Sequence, residues 1–272
     1  MDIGLIAILL GLLVGGVMAI TGAGGAVLSI PLIMFFLKQD LNYAAPLALL
    51  AVFAGALISS VIGLSKGIVR YKAALLLALT GMLVAPWGVA LAHQLSPVFL
   101  RLIFIGVLFY IAFYVLVKSK VQKNLESLLP SFREAACEIN PATSKLFWTA
   151  ACTRGLVLTG GVAGFLSGLL GVGGGFIVVP SLAKISNLNY RSVVATSLAM
   201  ITLVSLVSII SYANYQAIDY KIALPFVSAT LAGSVLARQY TTRISAPIGQ
   251  IIFGWLTMLI AILMMLDFVI AS

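Results

Sequence analysis

A chain of 272 residues that is 62% hydrophobic and only 8% charged is not an ordinary soluble protein, in which about 25% of residues are charged. Its formal net charge of +9 would point to nucleic acid in a soluble chain, but here Lys and Arg fall mainly between apolar runs, as topology determinants do, so no nucleic-acid partner is expected. The runs are apolar on every side instead of alternating over about ten residues, which excludes a β-barrel and leaves the all-α integral membrane class, whose helices satisfy every backbone group in lipid.

The first run starts at Ile3 behind Asp2, without a preceding basic segment, so it is expected to remain in the mature protein and not to be cleaved as a signal peptide. It extends to Leu37. As one straight helix these residues would span about 52 Å against a hydrocarbon core of about 30 Å, so the stretch must break or fold back. Gly22, Gly24 and Gly25 mark the break, because glycine adopts backbone conformations that other residues avoid; with Thr21 before them they are candidate substrate contacts, and Pro31 acts as a hinge that restricts how the chain continues. Uninterrupted spans are predicted over 44–64, 73–92 and 99–117. Residues 118–150 carry Glu126, Glu134 and Glu138 together with Pro130 and Pro141 and read as a linker with one short interfacial helix. Cys137 and Cys152 have no metal-ligand spacing and form at most one bridge, and they are read as ordinary small residues. The second half opens with an apolar stretch holding Gly171, Gly173, Gly174, Gly175 and Pro180, and further spans include 193–213 and 248–270.

The two halves repeat one another. GAGGAVLSIP from Gly22 to Pro31 aligns without gaps on GVGGGFIVVP from Gly171 to Pro180, and the same offset pairs Gly15 with Gly164, Tyr71-Lys72 with Tyr220-Lys221 and Ile103-Phe104 with Ile252-Phe253. A single transmembrane domain is therefore expected over 1–272, with repeat one at 1–117, the linker at 118–150 and repeat two at 151–272. Each repeat is a glycine-broken helix pair followed by three transmembrane helices. If each broken stretch crosses once, the repeats are parallel and the side with both termini holds ten of the 16 basic residues. If it returns to its starting side, thirteen lie on the linker side and only Lys38, Arg101 and Lys221 opposite. The positive-inside rule favours the second arrangement: inverted repeats, both termini outside and the linker in the cytoplasm.

Where a membrane helix is interrupted, its last carbonyls and the next helix's first amides need partners. The second half-helix presents free N–H groups and about half a positive charge, which suits an anion, and paired breaks in two halves point to a transporter site at their interface. Close helix packing is the plainer use of such glycines. The strings are not nucleotide loops, because no strand–turn–helix unit or Lys-Ser/Thr surrounds them.

The two glycine strings, with Ala195-Thr196-Ser197-Leu198, resemble the TauE/SafE family of sulfite and organosulfonate exporters, and the resemblance covers both halves. It implies a secondary transporter in a bacterial inner or archaeal plasma membrane that carries small anions, commonly sulfur-containing ones, by alternating access around the broken helices. In the first half Pro46-Leu47-Ala48 stands near the expected Thr-Ser-Leu, so hydroxyl contacts are expected from the second half alone. Thr196 and Ser197 are the candidates, since hydroxyls donate to an anion without burying a full charge. Ser205, Ser208 and Ser211 have helical spacing and line either a path or a helix contact.

Arg191, Arg70, Lys72 and Lys221 read as interfacial anchors, Asp219 and Asp267 as exposed span ends, and His93 as a solvated loop histidine. An anion channel is the nearest alternative. Gly164-Phe-Leu-Ser167-Gly168 is one residue too long for a rhomboid-type serine motif and has no histidine in its half, so no enzyme is expected. A passive scaffold would not need paired breaks. The partners expected are a small anionic solute and the lipid bilayer, with self-association into a homo-oligomer compatible; no metal or cofactor is expected.

Overall fold

Helix is the only extended regular structure among the described residues of the computed structural model, which are 3–21, 25–37, 40–125, 137, 149–216, 219–241 and 246–271. The ten helices are α1 (Ile3–Thr21), α2 (Gly25–Leu37), α3 (Leu41–Ser65), α4 (Tyr71–Gln94), α5 (Pro97–Leu125), α6 (Ala150–Leu170), α7 (Gly175–Ile185), α8 (Tyr190–Ala213), α9 (Tyr220–Thr241) and α10 (Ala246–Ala271). Seven of them, α3 to α6 and α8 to α10, are long and apolar enough to cross a membrane. Large apolar side chains such as Leu83, Trp87, Phe113, Leu158 and Leu224 are exposed, as a lipid-facing surface requires and a soluble one would not tolerate. Helix α7, with 11 residues, is about 16 Å long and cannot cross alone. The run predicted over 99–117 continues as α5 to Leu125, so the segment read as linker begins helical.

α3 and α8 pack across one another at the centre, α5 lies against α10 at a flank, and an Arg101–Asp267 ion pair joins that flank. The two most extensive contacts are α1 with α9 and α4 with α6. Both are built on glycine. A Cβ at Gly11 would meet the Phe226 carbonyl and one at Gly15 the Thr230 carbonyl, while Gly160, Gly164 and Gly168 face the carbonyls of Leu77, Gly81 and Ala85 in the same way. Without a hydrophobic force between helices in lipid, such backbone-to-backbone approach supplies the van der Waals contact that holds them. Contacts advance together along both helices of each pair, so α1 runs parallel to α9 and α6 parallel to α4.

The cysteines are not ordinary small residues. Cys137 and Cys152 are bridged, with Cα atoms 5.0 Å apart. The Cys137 amide also donates to the Ile185 carbonyl at 2.9 Å, and Cys137 pairs with Ser186 as a single parallel bridge. Cys152 opens α6 and Ile185 closes α7, so both ends of this broken stretch lie at one face of the bundle. Their separation of 15 positions is uninformative until the linker's path is known. Thr149 caps α6, its hydroxyl accepting from the Cys152 amide at 3.1 Å.

Candidate functional site

The α6–α7 break is made by three glycines in the left-handed region: Gly171, Gly173 and Gly174 have φ of 73°, 72° and 70°, a conformation that costs L side chains about 1–2 kcal/mol. Space is equally restrictive, because a Cβ at Gly171 would strike Ala45 of α3 and one at Gly174 the backbone of Ala163 in α6. α6 closes with the Gly171 amide donating to the Ser167 carbonyl at 2.9 Å. α7 then restarts in the opposite direction, with the Ile177 and Val178 amides donating to the Gly174 carbonyl.

Between those two closures the amides of Val172, Gly173, Gly174, Gly175 and Phe176 meet no acceptor among the described residues. Residues 171–175 are buried. The α8 stripe faces them: a Cβ at Gly173 would lie 3.5 Å from the Ser205 hydroxyl, and the hydroxyls of Ser167, Ser205 and Ser208 are buried without a hydrogen-bond partner. Further along the same face the Tyr212 hydroxyl donates to the Gly168 carbonyl at 2.8 Å, which holds α8 against the end of α6. No Asp, Glu, Lys or Arg occurs in 155–183, 192–218 or 41–65, so these stretches bring no ionic side chain to the donors. Unpaired amides of this kind favour negative charge, and the hydroxyls beside them can donate to it.

Of the residues singled out by sequence, Gly171, Gly173, Gly174 and Gly175 are thus brought together with Ser205. Thr196 and Ser197 are buried but already engaged: Thr196 accepts from the Arg70 amide at 3.0 Å, and Ser197 donates to the Val194 carbonyl. They also lie about 12 Å along α8 from Ser205. Ser211 donates to the Val207 carbonyl at 2.9 Å and is likewise engaged. In the first half, Gly25 begins α2 and packs on Met18 of α1, Thr21 ends α1 with its side chain outside the described residues, and Gly22 and Gly24 lie outside them altogether. Pro31 and Pro180 sit inside α2 and α7, not at the breaks.

His93 is not in a loop. It occupies the last turn of α4, its ring stacked on Tyr215 at 4.4 Å and edge-on to Tyr212 at 5.5 Å. Asp219 turns back to accept from the Lys221 amide, and Asp267 is exposed and paired with Arg101. No group of three His, Cys, Asp or Glu that could hold a metal occurs among the described residues.

Comparison with known proteins agrees with this architecture. A "Probable membrane transporter protein" of Xylella fastidiosa strain 9a5c is 25% identical over 253 residues, covering 92% of this chain and 90% of the relative. A relative of the same description in Methanocaldococcus jannaschii is 24% identical over 231 residues, 83% of this chain and 78% of its own. The Bacillus subtilis "Probable membrane transporter protein YunE" is 29% identical over 118 residues, 41% of this chain and 43% of its own. The family described as "Sulfite exporter TauE/SafE" matches residues 7–264. This multi-pass membrane protein, a transporter by its kin and its helices, therefore belongs to the sulfite exporter TauE/SafE family.

Proposed function

We propose that the protein is a secondary transporter that exports a small sulfur-containing anion, such as sulfite or an organosulfonate, and that the anion binds at the α6–α7 break. The observation that carries this reading is the row of amides at 172–176 that meet no acceptor among the described residues, buried at 172–175, with Gly173 beside the unpartnered hydroxyl of Ser205. An unsatisfied buried polar atom costs roughly 1–3 kcal/mol, and several gathered at one helix start are a site awaiting an acceptor. The family's description as sulfite exporters supports the sulfur-containing class.

Alternating access follows from an inverted two-fold arrangement of α1–α5 and α6–α10, which three features support. The α1–α9 and α4–α6 contacts use glycines and carbonyls related by the repeat offset, Gly11 with Phe226 matching Gly160 with Leu77, and Gly15 with Thr230 matching Gly164 with Gly81. The α6–α7 stretch returns to its starting face, as inversion requires. Thirteen basic residues then fall on the linker face against three opposite, which supports a cytoplasmic linker with both termini outside. Rocking one repeat against the other would open the break to either side in turn.

The test is thermal unfolding of the purified protein with sulfite, thiosulfate, sulfoacetate, taurine and simple carboxylates. A ligand at a hundredfold excess over its Kd adds about 2.7 kcal/mol of stability. A shift with sulfur oxyanions supports the reading, and no shift with any of these anions would sink it. Efflux from proteoliposomes that saturates with concentration separates a carrier from a channel.

A further inference from the structure

We propose that His93 is a second station for the transported anion, at the far end of the seam that starts at the α6–α7 break, and that it takes up a proton when the anion arrives. The inference rests on the anion reading of the break. Ser205, Ser208 and Tyr212 share one face of α8, and from Ser205 to Tyr212 that face runs about 10 Å along the helix. It begins beside Gly173, passes the two unpartnered hydroxyls and ends where the Tyr212 ring meets His93. Tyr215, half exposed, stacks on the other side of the imidazole, so the ring stands at the mouth of the seam, opposite the face that holds Cys152 and Ile185.

The surroundings of the ring set its chemistry. The His93 Nε2 atom is buried without a hydrogen-bond partner, and His93 enters no ion pair among the described residues. The titratable groups packed on it from α8 are the phenols of Tyr212 and Tyr215. α6 presents Ser167 and Gly168 at this end, its Cys152 and Arg154 being at the other, and α3 brings Asn42 and Tyr43, with Asp40 and Asp219 in the adjoining turns. Among the described residues no charged group is placed directly against the imidazole. An arriving anion would give it an ionic partner and would favour the imidazolium, which in turn donates from Nε2. Protonation and anion occupancy are then coupled at this station; the proton comes from water on that face and returns to it when the anion leaves.

His93 is the only histidine in the chain, so its ring can be followed directly by NMR in histidine-labelled protein purified through a histidine-free tag. The probe is sodium thiosulfate, which does not titrate near neutrality. Saturating thiosulfate should raise the imidazole titration midpoint by about one pH unit. Reciprocity then requires roughly tenfold tighter thiosulfate binding to the protonated protein. In His93→Gln the affinity should no longer change between pH 5.5 and 8, while stabilisation by thiosulfate persists. A midpoint unmoved by bound thiosulfate overturns the second station and leaves the break intact. Absence of thiosulfate and sulfite binding at every pH overturns both. The NMR arm uses the unaltered chain, so the proposal stays falsifiable if the variant does not fold.

Discussion

Replacing Ser205 with Ala should move stability and anion binding in opposite directions. The Ser205 hydroxyl is fully buried and unpartnered, and such a group costs roughly 1–3 kcal/mol. Without solute, Ser205→Ala should leave the protein as stable as the wild type or more stable by about 1 kcal/mol. With a bound anion the same hydroxyl has a charged acceptor. Hydrogen bonds to charged groups contribute roughly 1.5–3 kcal/mol, so Kd should weaken by about 10- to 150-fold. Thermal unfolding in detergent reads both effects. At a thiosulfate concentration that adds about 2.7 kcal/mol to the wild type, the variant should gain only about 0.3–1.4 kcal/mol. Ser211→Ala is the control, because that hydroxyl already donates to the Val207 carbonyl, and its anion-dependent gain should match the wild type. A Ser205→Ala protein that loses stability without solute yet keeps the full gain would refute the reasoning, since the hydroxyl would then serve the fold and not the solute.

Gly164→Ala drives a Cβ into the Gly81 backbone, whereas at Gly16 the same methyl meets nothing within 4 Å. The first should lose about 1–3 kcal/mol or more in detergent unfolding and the second change by less than about 1 kcal/mol; equal stability would contradict the α4–α6 packing. Thr196→Val removes the acceptor of the Arg70 amide and should cost about 0.5–1.5 kcal/mol with no change in thiosulfate affinity. Reducing the Cys137–Cys152 bond, which closes a 15-residue separation, should lower stability by up to about 3 kcal/mol on the chain-entropy account. The same pair reports orientation. A linker facing the cytoplasm meets a reducing thiol pool, so protein alkylated in intact cells should carry two blocked thiols, and recovery of a fully bridged pair would place the linker outside.

The helices were legible because lipid leaves few options: apolar runs predicted over 44–64 and 73–92 became Leu41–Ser65 and Tyr71–Gln94, differing only at the ends. The α6–α7 break was legible for a related reason, since only glycine suits the backbone at Gly171, Gly173 and Gly174. Which hydroxyls are free was not. Thr196 and Ser205 occupy one helix and have similar chemistry, but Thr196 is claimed by a loop 126 positions away, a fact of tertiary structure. The same holds for His93, whose stacking on Tyr215 depends on how α4 and α8 end, and for the cysteines, joined by a path that composition does not encode.

The α1–α9 contact has a consequence for biogenesis. α1 precedes the other described helices in the chain, yet the surface that covers its Gly11 and Gly15 belongs to α9, made on the order of two hundred residues later. At about 5–20 residues per second, that surface stays bare in the bilayer for roughly 10–40 s, while α4 finds α6 well before the chain is finished. A nascent chain that stops after α8 would hold α4, α6 and the broken helix in place but leave the glycine face of α1 bare, which is the form a membrane protease would meet first.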